Sequence, residues 1–460
     1  MADKMSHQTP WRTEARALLS LSVPLVIGNL GWSAIAATDL LLLGRLGPDA
    51  VASGALALNL YHAFLVFGIG LTAAASPLIA SERGRKLHSV RDIRRTVRQT
   101  MWASILYCLP VWLILWQAEA ILILLGQERD LSAQAAELSR SLQWALLPYM
   151  GYLVLRNFVA ALERPIWGVI VTLAAVPINA LAGWVLIFGH LGLPALGLQG
   201  AGIASMVTAA FMFAGMVLVV RLDRRFRRYA LSGRFWVADR MRFLTVWKIG
   251  LPIAITLGLE VTVFNAAVFL MGLIGRSSLA AHAIAIQLAS LCFMVPMGIG
   301  QAATVRVGYA HGRRDPAAAG RAGWLAFGLG TIFAVGTAAL LIGVPRLLIA
   351  GFLDVDDPAN AEVTRLAVSF LAVAALFQLV DAAQAIGAGV LRGLQDTRVP
   401  MLFALVGYWV IGIGVGMLLA FPFGMGGVGI WLGLATGLGV VAVLLVHRWS
   451  RRERLGLVPH

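Results

Sequence analysis

The chain has 460 residues, 59% of them hydrophobic and only 13% charged, with a mean hydropathy of +0.82. That composition excludes a water-soluble fold, and long continuous apolar runs exclude a transmembrane β-barrel, whose strands alternate polar and apolar residues over roughly ten positions. The net charge of +15 would suit a nucleic-acid partner, but the basic residues sit in the breaks between apolar runs, so none is expected.

In chain order, a polar segment over 1–16, MADKMSHQTPWRTEAR, leads into an apolar run. The run is too long for a signal-peptide core and lacks a clear cleavage signature, so it is expected to remain as the first span. Apolar runs set against charged or Gly/Pro breaks predict membrane helices over 17–43, 50–80, 97–116, 138–161, 166–188, 197–221, 246–271, 279–305, 319–342, 362–390, 399–420 and 427–447. Each can cross a hydrocarbon layer of about 30 Å. With a cytoplasmic N-terminus, 31 of the 37 Lys and Arg fall on the cytoplasmic side, among them Lys4, Lys86 and nine between Arg221 and Lys248. Only Arg45, Arg129, Arg140, Arg276, Arg346 and Arg365 fall outside, so the positive-inside rule predicts both termini in the cytoplasm. Cys108 and Cys292 lie far apart in apolar stretches and read as packing residues, with neither a disulfide nor a metal-ligand spacing.

The chain repeats itself. An offset of 228 aligns Pro24 with Pro252, Gly44 with Gly272, Gly47 with Gly275, Gly70 with Gly298 and Gly84 with Gly312, without a gap. A second match, at an offset of 227, sets GLQGAGIA (197–204) on GMGGVGIW (424–431). Six spans per half is an even number, so the predicted all-α membrane protein has two six-helix bundles related by a pseudo-two-fold axis along the membrane normal. The expected organisation is an N-terminal segment 1–16, an N-lobe 17–221, a basic linker 222–245, a C-lobe 246–447 and a basic tail 448–460. The linker reads as a solvated loop beside anionic lipid.

Of the 22 carboxylates, Asp39, Glu260 and Asp381 alone fall within spans rather than in loops or at span ends. A charge at that depth costs at least a few kcal/mol, and such acids handle ions, protons or cationic substrates or serve, protonated or paired, as packing glue. Glu260 and Asp381 belong to one half and can converge on a single site that holds one Na⁺ or shares a proton. Asn265, Gln287 and Gln384 are candidate supporting oxygens, and Asn179 is a polar candidate in the N-lobe beside Asp39. His62 and His282 read as packing histidines rather than relays. Proline residues including Pro24, Pro177 and Pro252 can bend their spans, and the aromatic and methionine content suits a cavity for flat lipophilic cations. No GxxxxGK[ST], HExxH or GxSxG motif occurs, so neither an enzyme nor an ATP-driven pump is expected and no cofactor is implied.

The passages AAHAIAIQLASLCFMVPMGIGQAATVRVGYAHG (280–312), VDAAQAIGAGVLRGLQDTRVPM (380–401), GLPIAITLGLE (250–260) and DLLLLGRLG (39–47) resemble the multidrug and toxic compound extrusion family, nearest its NorM-type bacterial branch. The resemblance spans nearly the whole chain. It implies a V-shaped pair of six-helix bundles in a bacterial inner membrane, exporting cationic amphipathic compounds in exchange for Na⁺ or H⁺; because twelve spans in one chain make a complete two-lobe transporter, a monomer is expected. Glu260 and Asp381 then match the family's cation-binding glutamate and aspartate, Asp39 its first-span aspartate, and Asn179 a span-five polar position. Gly183 and Phe377 depart from the pattern, standing where polar and tyrosine residues are frequent in the family. The main alternative is a lipid-linked oligosaccharide flippase on a related two-lobe fold, which would carry basic rather than acidic residues at depth. An intramembrane enzyme and a passive channel fit less well, lacking clustered catalytic groups and a repeated filter signature.

Overall fold

The computed structural model describes residues 10–85, 89–231, 233 and 235–458; Lys4, Lys86 and Arg234 of the charge count, and the outer ends of the N-terminal segment and the tail, lie outside them. The described residues form helices and no strand. Among the described residues, eleven helices are long and apolar enough to cross a membrane. The fourth expected span, 138–161, falls on two shorter helices, α6 (Arg129–Leu142) and α7 (Leu146–Ala161), joined by the 3-10 turn Gln143–Ala145. Most helices run past the apolar cores read from the sequence, as α1 does over Pro10–Gly44 and α11 over Arg240–Ile274.

Local chemistry explains several boundaries. The helix Pro316–Gly343 starts with Pro316, whose missing N–H costs nothing there, and Asp315 caps it by accepting 2.8 Å from the Ala318 N–H. α8 (Ile166–Phe188) ends on Gly189 at φ 74°, and a Cβ there would lie 2.5 Å from Ala195 N, so only glycine closes this turn.

The chain separates into two compact units, and the division differs from a cut at the basic linker: one unit is 27–254, and the other combines 255–460 with the start of the chain to residue 26. Thus the first part of α1 packs in the C-unit, and the first part of α11 packs in the N-unit. Adding the repeat offset of 228 to the cut after residue 26 gives the cut after residue 254. Pro24 and Pro252 sit two residues before these cuts, inside their helices. Each half therefore hands the start of its first helix to the other unit.

The repeated glycines make room for these transferred segments. In the N-unit, a Cβ on Gly70 of α2 (Pro48–Ala73) would lie 2.5 Å from Ala254 N, and in the C-unit one on Gly298 of α12 (Arg276–Gly312) would lie 3.1 Å from Val26 N. Ion pairs hold the transferred starts as well. Glu14 accepts two charge-assisted bonds from Arg306, at 2.7 and 2.6 Å. Its repeat partner Arg242 pairs instead with Glu82 of α3 (Ala75–Arg85) and, at 3.4 Å, with Asp92 of α4 (Ser89–Trp116).

The linker is not a free loop. Trp102 on α4 donates 3.1 Å to the Phe235 carbonyl and stacks on its ring, Gln99 donates 3.2 Å to the Val237 carbonyl, and Arg95 pairs with Asp239 at 2.5 Å. Phe226, in the short helix α10 (Arg224–Arg227), and Tyr229 pack on Phe158. Phe226 and Tyr229 are buried, while the arginines around them, Arg224, Arg225, Arg227 and Arg228, stay exposed.

Candidate functional site

Each unit holds its own carboxylate site. In the N-unit, Asp39 on α1 accepts 2.7 Å from the Asn179 amide on α8, whose oxygen accepts 2.8 Å from the Thr208 hydroxyl on α9 (Gly197–Leu222). Asn179 and Thr208 are buried, so their polar atoms need these partners. Glycine sets the spacing: a Cβ on Gly200 would lie 3.0 Å from Ile187 N, so α9 approaches α8 at the level of its backbone. The sequence singled out Asp39 and Asn179; Thr208 was missed, because an isolated threonine in an apolar helix carries no signal of its own.

This relay lines a cavity of about 290 Å³. Trp32 and Tyr149, stacked with ring centroids 4.5 Å apart, form part of its wall together with Tyr61 and His62. Among the described residues Asp39 is the one acidic side chain in that wall, and no Lys or Arg lines it. Aromatic faces around a carboxylate suit a desolvated organic cation.

In the C-unit, Glu260 is half-buried on α11 and Asp381 is buried on α15 (Ala361–Gly393). The two acids lie within electrostatic reach of each other, and Glu260 also feels the Arg392 guanidinium. Gln384, one turn beyond Asp381, donates 2.6 Å to the Tyr408 hydroxyl, which lies in the field of both carboxylates. The Gln384 oxygen is buried with no hydrogen-bond partner among the described residues, leaving an acceptor for a cation or a water. Tyr408 belongs to a π-helical segment, Leu405–Ile413, whose wider turn shifts side chains off the α-helical register. α12 approaches α15 closely: a Cβ on Gly389 would lie 2.8 Å from the Gly300 carbonyl carbon, and Thr304 donates 2.8 Å to the Gly389 carbonyl.

Asn265 and Gln287 are exposed and take no part in this hydrogen-bonded group. Phe377, one turn before Asp381, packs edge-on against Trp431, whose other neighbour is the His282 ring, with both centroid distances 5.6 Å. A tyrosine at 377 would have to place its hydroxyl among these rings. No cluster of three or more His, Cys, Asp or Glu side chains able to hold a metal ion occurs among the described residues.

The MatE family profile matches residues 24–185 and 252–418. The chain is 56% identical over 445 residues, 97% of its length and 95% of the other's, to the probable multidrug resistance protein NorM of Mesorhizobium japonicum (strain LMG 29417 / CECT 9101 / MAFF 303099). It is 40% identical over 439 residues, covering 95% of this chain and 94% of the other, to that of Agrobacterium fabrum (strain C58 / ATCC 33970). Among solved structures, the eukaryotic MATE transporter AtDTX14 shares the fold with a TM-score of 0.83 at 22% identity, over 97% of this chain and all (100%) of that one. A MOP superfamily transporter from Pyrococcus furiosus, described as having a binding pocket of reverse polarity that suggests a different function, also scores 0.83, at 17% identity over 96% of each chain. With its profile matched in both halves and its near-full-length relatives, the chain belongs to the MatE family of multi-pass membrane transporters.

Proposed function

We propose that the protein is a secondary multidrug antiporter of the bacterial inner membrane, with both termini cytoplasmic, that exports lipophilic organic cations in exchange for inward Na⁺ or H⁺. The observation that carries this reading is the polarity of the N-unit cavity, where Asp39, oriented by Asn179 and Thr208, stands among aromatic rings without a basic neighbour in the wall. A pyrophosphate-linked lipid would meet a carboxylate there instead of a guanidinium, which speaks against the flippase reading. The near-full-length relatives named as multidrug resistance proteins point the same way.

The carboxylates do the work by changing charge. An ionised Asp39 attracts an organic cation strongly in the low dielectric of the cavity, and the Trp32 and Tyr149 faces add about 0.5–2 kcal/mol of cation–π attraction. Glu260 and Asp381 repel each other across the C-unit site until a Na⁺ or a proton relieves the repulsion, with the Gln384 oxygen available as a further ligand. Loading that site favours the state that releases the drug, and the drug in turn disfavours loading, so the two ligands are reciprocally coupled through alternating access. No cofactor is needed, since the ion gradient supplies the energy, and the monomer contains both sites.

The test is efflux of a fluorescent lipophilic cation from proteoliposomes under an imposed Na⁺ gradient, and separately under a pH gradient, with Glu260→Gln and Asp381→Asn alongside. We expect one gradient to drive export and both variants to abolish coupling while remaining folded. Undiminished coupled efflux in both would overturn the ion site, and absence of cation export by folded wild-type protein under either gradient would overturn the function.

A further inference from the structure

A second cavity of the N-unit is lined by residues other than those around Asp39. It is a groove of about 670 Å³ bounded by α4, α7, α9 and the folded-back linker. On α9, Phe213, Val217, Val220 and Arg221 line it, the i, i+4, i+7, i+8 stripe of one helix face. On α4 the stripe is Arg98, Met101 and Ile105, running in the opposite chain direction. The apolar residues follow Arg98 and precede Arg221, so both helices place their arginine at the linker end, where Arg227 of α10 joins them. The groove is therefore basic at one end and apolar for about two helical turns beyond, roughly 12 Å.

We propose that this groove binds an anionic phospholipid, its phosphate held by Arg221 and Arg227 and an acyl chain lying along Ile105, Phe213 and Val217. Arg221 and Arg227 are exposed and make no ion pair among the described residues. Arg98 is buried and its Nε reaches the Leu231 carbonyl at 3.4 Å, fixing the linker as one wall. Leu218 and Leu222, which follow the lining residues Val217 and Arg221 in sequence, are 56% and 70% exposed on α9. No acidic side chain lines it among the described residues, which opposes a cationic drug, and its apolar length opposes a free phosphate. Charge complementarity with anionic headgroups at a basic membrane edge supplies the selectivity. The assignment stands independently of the transport cycle.

Native mass spectrometry of the detergent-purified protein, titrated with phosphatidylglycerol or with phosphatidylcholine of the same acyl chains, tests it. Two accessible arginines, at roughly a factor of five each, give an expected preference of about 25-fold for phosphatidylglycerol. Arg221→Gln with Arg227→Gln should reduce it to near unity, and either single change should lower it about five-fold. Val217→Trp, which fills the groove, should lower occupancy by both lipids several-fold. Glycerol 3-phosphate should not displace the lipid. Melting temperatures matched to wild type identify folded variants, and if the double variant does not fold the two single variants decide. Equal occupancy of both lipids on the wild-type protein, a preference unchanged in folded arginine variants, full occupancy in Val217→Trp or displacement by glycerol 3-phosphate would each overturn the proposal.

Discussion

Two glycine pairs related by the same repeat should answer one substitution in opposite ways. Gly70 and Gly298 lie against the transferred helix starts, whereas Gly44 and Gly272 have nothing within 4 Å of an added Cβ. In Gly70→Ala the new carbon would stand 2.5 Å from Ala254 N and 2.9 Å from Ala254 Cβ, against an optimum of about 3.5–4.0 Å, so the backbones must part by about 1 Å. Overpacking of that kind costs about 1–3 kcal/mol, and alanine returns about 0.5–1 kcal/mol through the lower backbone entropy of the unfolded chain. The expected net loss for Gly70→Ala is about 1–2 kcal/mol. Gly298→Ala should lose less, because its closest backbone neighbour is Val26 N at 3.1 Å and the valine side chain can rotate away. Gly272→Ala, in the last turn of α11 with open space around the new carbon, should be neutral or gain up to about 1 kcal/mol. Thermal unfolding in detergent, followed by tryptophan fluorescence, gives the order of melting temperatures. If Gly70→Ala melts no lower than Gly272→Ala, the close approach of α2 to the transferred start of α11 does not govern the packing and the reasoning fails.

Arg306→Ala should destabilise the C-unit by about 1.5–3 kcal/mol, since it removes a bidentate, largely buried pair with Glu14, and Arg306→Lys should recover only part of this. By contrast, Glu453→Gln should change unfolding by less than about 0.5 kcal/mol, because Glu453 is 63% exposed in its pair with Arg452. Asn179→Leu deprives Asp39 of its donor and should reduce cation export in vesicles far more than Thr208→Val, which frees the amide to reorient but leaves it in place. Trp32→Leu should weaken binding of a lipophilic cation by about 2- to 30-fold, the range set by cation–π attraction of about 0.5–2 kcal/mol, measured by fluorescence titration; unchanged affinity would remove the aromatic wall from the site.

How much was legible beforehand differs between the fold and the sites. Asp39, Glu260 and Asp381 could be read because a carboxylate in an apolar run is expensive and therefore informative. Thr208 and Tyr408 could not, since hydroxyls at depth are common and their partners stand on other helices. Tyr408 in addition depends on a π-helical register between 405 and 413 that no simple 3.6-residue pattern announces. The family resemblance supplied roles for the acids but not the hydrogen-bonded chain that orients Asp39.

Composition and hydropathy alone indicated the membrane class and most of the apolar spans, because burial in hydrocarbon acts on each segment of about 20 residues by itself, and the proline and glycine matches at an offset of 228 indicated the repeat. Tertiary structure decided what depends on which segments meet. It set the exchange of helix starts at residues 26 and 254 and separated the glycines that admit a neighbour from those that face open space. It also drew the basic linker onto α4, making a loop of charges one wall of an apolar groove. Without a strong hydrophobic force between helices in lipid, such choices rest on close backbone approach and a few polar contacts between residues far apart in sequence, and neither is written in local periodicity.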